Sequence, residues 1–448
     1  MGRLFGTDGV RGLANSELTC KTAFELGQAG AYVLTKARHR PKILVGRDTR
    51  ISGDMLEAAL TAGICSVGAE AVVAGVLPTP AIAYLTRHYG LDAGVVISAS
   101  HNAMEYNGIK FFDHCGYKLP DELEDRIERI ISDGTGKLPV PVGEKVGRRV
   151  PAWNAEKDYA EFLKSTIDVD LKGLKLALDC ANGASYRVAP KVLQSLGAEV
   201  RIRKNAPDGI NINDGCGSTH PEGLQGFVRE EKVDAGLAFD GDADRLIAVD
   251  ENGNLVDGDQ ILLICALDMK DRGLLKQNTV VGTVMSNLGL KIALKKAGCT
   301  LEQTRVGDRY VLERMLERNY SLGGEQSGHI IFRNHSTTGD GILTALQMLS
   351  VVKRSGKPLS ALAAGMTKLP QVLVNARVSE AKKHCYAEDA VIQEEIRKIE
   401  SRFREEGRVL IRTSGTEPLV RIMIEGTDQQ LMEKEAVRLA GLIEQRLA

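Results

Sequence analysis

Aromatic residues are scarce in this chain. They make up 4% of its 448 residues, with a single tryptophan, so stacking platforms for single-stranded nucleic acid are not expected. An excess of one charge is missing too. Lys plus Arg number 58 against 59 Asp plus Glu, a formal net charge of −1, which gives no global field for nucleic acid or a membrane surface. No apolar run approaches the roughly 20 residues that span a bilayer. Met1–Gly6 leads into no apolar segment of the kind that makes a secretory leader. The eight cysteines (Cys20, Cys65, Cys115, Cys180, Cys216, Cys265, Cys299 and Cys385) are scattered, with no C-x-x-C pair. That is the pattern of reduced, packed thiols. A cytoplasmic location, with no nucleic-acid or membrane partner, is the expectation.

What is present points to several α/β domains. The length exceeds one ordinary core and predicts three or four domains. The most informative stretch runs Gly94-Val95-Val96-Ile97-Ser98-Ala99-Ser100-His101-Asn102-Ala103 and closes with Tyr106-Asn107-Gly108-Ile109-Lys110. The β-branched run predicts a buried strand. Its small polar successors then fall at the strand's carboxyl end, where open α/β sheets place ligands. There the Ser100 hydroxyl, the His101 imidazole and the Lys110 amine can converge within one turn and its return.

One pattern recurs along the chain. Lys42–Gly46 reads as a strand, followed by Arg47-Asp48-Thr49-Arg50 and a helix with apolar residues at Leu56, Leu60, Ile64 and Val67. A glycine at position 68 and a second strand, Ala71–Val76, follow. Leu174–Asp179 and Thr279–Val284 each open a similar strand–loop–helix–Gly–strand unit. Three such units predict three related domains, each with its first loop at the carboxyl edge of its sheet. The Pro/Val/Gly stretch Leu138–Gly143 and breaks near Glu251–Gly258 and Leu369-Pro370 give boundaries at 1–150, 151–254, 255–369 and 370–448. The last segment has a different texture, three strands and two charged helices, and reads as a small α+β domain.

Four clusters carry chemistry. In Asp240-Gly241-Asp242-Ala243-Asp244-Arg245, three carboxylates at alternate positions follow the apolar run Ala235–Phe239. They can converge on a hard cation such as Mg²⁺. An EF-hand does not fit, because its sixth position is Arg245 where a glycine is needed, and Leu246–Val249 reads as a strand rather than a helix. Gly323-Gly324-Glu325-Gln326-Ser327-Gly328-His329 offers Glu325 and Ser327 as acceptors for sugar hydroxyls or an amine. His329 is either an acid/base group or a satisfied partner on the following strand. Val306–Val311 is a Gly-Asp-Arg turn. Arg412-Thr413-Ser414-Gly415-Thr416, with Arg421 beyond, offers guanidinium, hydroxyl and amide donors that suit a phosphate. Near the start, the glycines of Phe5–Gly12 permit close backbone approach, and Arg11 is placed to meet an anion.

In this order the stretches resemble the α-D-phosphohexomutase superfamily, most closely its branch acting on glucosamine phosphates. The likeness covers essentially the whole chain. It implies three related α/β mixed-sheet domains plus a C-terminal α+β domain around a central cleft. The family's serine loop, S-A-S-H-N-P, stands here as Ser98-Ala99-Ser100-His101-Asn102-Ala103, with Ala103 in place of proline. The resemblance therefore implies phosphoserine at Ser100. It implies one Mg²⁺ held by Ser100, Asp240, Asp242 and Asp244. Arg11, His101, Lys110 and His329 become the catalytic set, with Lys110 or His329 taking the proton. Arg245, Gly307, Asp308, Arg309, Glu325 and Ser327, with Arg412, Ser414, Gly415, Thr416 and Arg421, become the sugar- and phosphate-binding set. Gln326, where sister enzymes commonly carry methionine, leans toward glucosamine. The implied reaction converts glucosamine 6-phosphate through a 1,6-bisphosphate into glucosamine 1-phosphate, a precursor of UDP-N-acetylglucosamine and cell-wall polymer. Glucosamine or glucose 1,6-bisphosphate would be the activator. Sugar phosphates are the implied partners, and a homodimer is compatible with the sequence.

Overall fold

A computed structural model describes residues 4–6, 8–35, 40–403, 407–413 and 417–448. Among these residues the strands form four sheets. The first holds β1 (Val10–Leu13), β2 (Lys42–Arg47), β3 (Glu70–Val76), β4 (Ala93–Ile97), β5 (Tyr106–Asp113) and β6 (Arg149–Pro151). The second holds β7 (Lys175–Asp179), β8 (Glu199–Arg203), β9 (Ala235–Phe239), β10 (Leu246–Asp250) and β11 (Leu255–Val256). The third holds β12 (Thr279–Thr283), β13 (Thr300–Thr304), β14 (Leu322–Gly324) and β15 (Ile330–Phe332). The fourth holds β16 (Gln371–Arg377), β17 (Arg408–Thr413) and β18 (Leu419–Glu425).

The first three sheets repeat one unit. Their orders contain β3-β2-β4-β5, β8-β7-β9-β10 and β13-β12-β14-β15. In each unit the first strand lies between two parallel neighbours, and the third pairs antiparallel with the fourth. The predicted kinship of three α/β domains is thus a shared topology. The third strands β4 and β9 are buried along their whole length, as apolar runs covered on both faces should be. The loop after each third strand leaves at the parallel strands' carboxyl edge. These three equivalent loops are Ser98–Glu105, Asp240–Arg245 and Glu325–His329. The loops after the first strands reach the same edge and act as supports. The serine cluster, the acidic cluster and the Glu325–His329 cluster of the sequence lie on the third-strand loops. β6 pairs with β3, so the first sheet runs across residue 150, where the sequence places a boundary.

The packing separates two bodies. One continuous core joins Leu44, Ile82 and Phe112 of the first domain to Leu176, Leu237 and Phe239 of the second and Leu262, Leu346 and Met348 of the third. The fourth sheet, antiparallel throughout, packs with helices Ala390–Phe403 and Gln429–Leu447 around its own core of Ile392, Ile399, Ile422, Met432, Leu439 and Ile443. Among the described residues no helix is long and apolar enough to cross a membrane.

Candidate active site

Ser100 is the third residue of the tightly bound loop after β4. Its backbone takes the left-handed φ of +52°, a conformation that costs a non-glycine residue about 1–3 kcal/mol and needs support from its surroundings. The support is visible. The buried Arg50 donates to the carbonyls of Ser100 (2.9 Å), Asn102 (2.8 Å) and Ala103, and pairs with Asp48 at 2.9 Å. Asn213 Nδ2 donates to the Ser100 and Asn102 carbonyls at 2.9 and 3.0 Å. Ser98 Oγ donates to Asp48 Oδ2 at 2.6 Å and accepts from the Ser100 amide at 2.9 Å. A Cβ on Gly241 would lie 2.5 Å from the Ser100 carbonyl, so only glycine lets the acidic loop pass this close.

The loop's purpose is the hydroxyl. Ser100 Oγ donates to Asp240 Oδ2 at 2.6 Å and lies 3.4 Å from His101 Nδ1. Asp240, Asp242 and Asp244 are all buried, and each offers an oxygen within 4.8 Å of the others. Thr79 Oγ1 donates to Asp242 Oδ2 at 2.7 Å. Burial, then Asp244 and Asp242, push the Asp240 carboxyl well above its usual range. Asp242 Oδ1 and Asp244 Oδ1 are buried and accept no hydrogen bond from any described residue. Like charges this close, with orphaned buried oxygens, fit a hard divalent cation held by oxygen ligands.

Cations surround this acidic floor. Lys110 is buried, with Nζ 3.0 Å from both Asp242 and Asp8. Burial lowers its proton affinity, but Asp242 and Asp8 outweigh that and raise it, so it is an ammonium. Arg11 pairs with Asp8, and Arg245 Nε lies 3.7 Å from Asp244. The two histidines are tuned in opposite directions. Burial, with Arg245 and Arg11, takes His101 down to about 4. Burial also lowers His329, but Asp244 and Asp308 raise it to about 9. His329 Nδ1 faces Asp244 Oδ2 at 3.3 Å, and the Gly339 amide donates to Nε2 at 3.0 Å. The Gly339 amide can donate to Nε2 only while the ring is neutral, with its proton on Nδ1, so Nε2 is the atom that takes the second proton in the imidazolium that Asp244 and Asp308 favour.

A cavity of about 520 Å³ is lined by Arg11, Ser100 and His101 from the first domain, Asp244 and Arg245 from the second, and Gly307, Asp308, Glu325 and His329 from the third, while Lys110, Asp240 and Asp242 lie outside its lining. Glu325 Oε1 accepts from the Gly307 amide at 3.1 Å. Other expected residues lie elsewhere. Ser327 and Gln326 do not line the cavity. Ser327 Oγ is enclosed, and the Gln326 amide goes to Asp257 at 3.2 Å. Arg309 is held by Asp121 (2.6 Å) and Glu313 (3.0 Å) beside a neighbouring cavity. Arg412 and Arg421 sit opposite one another on β17 and β18, outside the cavity lining. Ser414, Gly415 and Thr416 lie outside the described residues. The structure also brings in groups that the sequence did not single out: Asp8, Lys118, Arg50, Thr79 and Asn213. Two of them had a signal: Asp8 lies in the glycine-rich Phe5–Gly12 stretch, and Arg50 in the charged loop after β2.

Known proteins resemble the chain over its whole length. The chain matches the family models for phosphoglucomutase/phosphomannomutase alpha/beta/alpha domain I at residues 2–137, domain II at 157–253, domain III at 257–369 and the C-terminal domain at 373–442. It is 64% identical over 448 residues to a phosphoglucosamine mutase of Acetivibrio thermocellus, covering 100% of both chains. It is 63% identical over 449 residues to the phosphoglucosamine mutase of Ruminiclostridium cellulolyticum, again covering 100% of both. A phosphoglucomutase/phosphomannomutase family protein from Burkholderia thailandensis superimposes with a TM-score of 0.81 at 24% identity, over 99% of this chain and 98% of that one. An N-acetylphosphoglucosamine mutase from Aspergillus fumigatus, solved with GlcNAc-6P and magnesium, gives 0.69 at 18% identity, over 99% and 96%. With all four domain models matched in order and full-length relatives above 60% identity, the chain belongs to the phosphoglucomutase/phosphomannomutase family.

Proposed function

We propose that this chain interconverts glucosamine 6-phosphate and glucosamine 1-phosphate, with Ser100 as the phosphoryl carrier. The observation that carries this is the Ser100 hydroxyl, lining the cavity from a strained, fully braced loop and hydrogen-bonded to the buried Asp240. The choice of amino sugar follows the full-length relatives named phosphoglucosamine mutase.

In this reading the Oγ–P bond of phospho-Ser100 breaks as a P–O bond forms to O1 of glucosamine 6-phosphate. The O1 proton passes to Lys110 or His329, which must act from its minor neutral form because both rest as cations, and is returned to Ser100 Oγ as the phosphoryl group leaves. The resulting 1,6-bisphosphate turns over in the cavity and returns its 6-phosphoryl group to Ser100 Oγ, leaving glucosamine 1-phosphate. Phosphoryl transfer asks a protein mainly for positioning and charge neutralisation. Arg11 and Lys110 flank the moving group, and Glu325 meets the sugar. The distal phosphate rests on Arg412, Ser414, Gly415, Thr416 and Arg421. Asp240, Asp242 and Asp244 would hold Mg²⁺, the ion in the Aspergillus relative, which when bound draws charge from a phosphoryl oxygen. A glucosamine or glucose 1,6-bisphosphate would load Ser100 at the start. The product would feed UDP-N-acetylglucosamine synthesis in the cytoplasm, a setting that suits eight unpaired cysteines. Turnover of glucosamine and glucose 6-phosphates, compared side by side, tests the assignment. Faster amino-sugar turnover supports it, and faster glucose turnover makes this a sister mutase instead.

A further inference from the structure

Lys118 has no part in the scheme above, yet it stands at the centre of a charge chain that begins and ends on the acidic loop. After β5 the chain turns back so that Lys118 bridges to Phe112. Asp113 Oδ1 holds the turn, accepting from the Cys115 and Tyr117 amides at 2.8 and 3.0 Å. Thr337 of the third domain donates to the Gly116 carbonyl at 2.5 Å. The lysine therefore leaves the first domain at its seam with the third. Its Nζ lies 2.5 Å from Asp8 Oδ1 and 2.6 Å from Asp308 Oδ2.

From Asp8 the contacts run to Lys110 (3.0 Å) and on to Asp242 (3.0 Å). From Asp308 they run to His329 Nε2 (3.5 Å), whose Nδ1 faces Asp244 (3.3 Å). Every cationic side chain along this path sits between two carboxylates. Buried charges persist only when paired in this way.

We propose that Lys118 is a positioning residue which ties Asp8 to Asp308 and so holds Lys110, behind the cavity lining, and His329, within it, at their working places. This rests on the phosphoryl-transfer reading given above. The reason is competition for charge. Asp8 also pairs with Arg11. Without Lys118, its full negative charge falls on Lys110 and Arg11, the two cations meant for the phosphoryl group. The charge of Asp308 falls likewise on His329. Burial raises Asp8, but Lys110, Lys118 and Arg11 together hold it well below the usual carboxylate range.

The test compares Lys118→Met, Lys118→Arg and Asp308→Asn with the wild type. The full chain is used with magnesium, and kcat and KM are read for glucosamine 6-phosphate. A displaced group on the reaction path costs on the order of 100-fold in rate, so Lys118→Met should lose about that in kcat. Its KM should stay within about threefold, because ground-state binding is not what the tie supplies. Lys118→Arg, which keeps the charge, should recover at least about a tenth of the wild-type kcat. A kcat for Lys118→Met within about threefold of wild type, or a loss confined to KM, overturns the proposal. So does an arginine variant no better than methionine. If Lys118→Met fails to fold, the isosteric Asp308→Asn decides on the same kcat and KM criteria. A wild type inactive on the amino sugar but active on glucose 6-phosphate would sink the substrate assignment alone. The same kcat comparison on glucose 6-phosphate would then decide the tie.

Discussion

The first three domains share one apolar core, whereas the fourth keeps its own. Hydrogen bonds join the two bodies. Glu425, fully buried, accepts from the Leu288 amide at 3.0 Å and pairs with Arg408 at 2.6 Å, and Arg408 donates to the Ser286 carbonyl at 2.6 Å. Within the third domain, Asn287 exchanges hydrogen bonds with the backbone of Leu369, the last residue before the fourth, at 3.0 Å. The groups proposed to break and make bonds all belong to the fused body. The groups proposed for the distal phosphate all belong to the separate one. Fusion suits chemistry, because a misplacement of about 1 Å between reacting groups is expensive. The distal phosphate needs only to be gripped. On this account, damage to the body should appear in kcat and stability, and damage to the fourth domain in KM.

The sharpest way to break the comparison is at Ser100. Ser100→Ala should lower kcat by at least about 10⁴-fold, since removing a nucleophile leaves only binding and electrostatics, while the fold survives by circular dichroism. Removing the metal comes next. Dialysis against EDTA should cut kcat by at least about 100-fold, because the charge neutralisation it supplies is worth several kcal/mol. Magnesium should restore activity and raise Tm, since a ligand bound by the native state stabilises it. Arg50→Met then tests the braces. It strands the buried Asp48, frees the Ala103 carbonyl and leaves the Ser100 and Asn102 carbonyls to Asn213 alone, so denaturant unfolding should show a loss of about 3–5 kcal/mol. In the fourth domain, Arg421→Ala should raise KM about tenfold with kcat nearly unchanged, the mark of lost uniform binding. A kcat loss there would collapse the distinction between the two bodies. The smallest effect belongs to Ala103→Pro, which restores the residue usual in related loops. Its exposed backbone amide makes no hydrogen bond to the described residues, so stability should move by less than about 1 kcal/mol.

What could be read from the sequence was what is local. Val95, Val96 and Ile97 announce a buried strand, and the polar loop follows at once. Asp240, Asp242 and Asp244 announce themselves by spacing. The three-fold repeat was legible because each domain repeats the same strand–loop–helix pattern. The braces were not legible, because their partners are remote. Arg50 reaches a carbonyl 50 residues away, Asn213 one 113 away, and Lys118 a carboxylate 190 away. The loop after β14 shows the converse. Glu325, Gln326 and Ser327 are neighbours in sequence, yet only Glu325 lines the cavity. Gly328, at a φ of +92°, sits where a Cβ would lie 2.1 Å from the Leu246 carbonyl. The loop is thus pressed onto the second domain, and its neighbouring side chains diverge.

The most direct test is intact mass with phosphopeptide mapping, on protein incubated with glucosamine 1,6-bisphosphate and magnesium. One phosphate on Ser100, discharged when glucosamine 6-phosphate is added, is the result this account predicts. No phosphate, or a stable one elsewhere such as on Ser98, would contradict it and move the chemistry to another group.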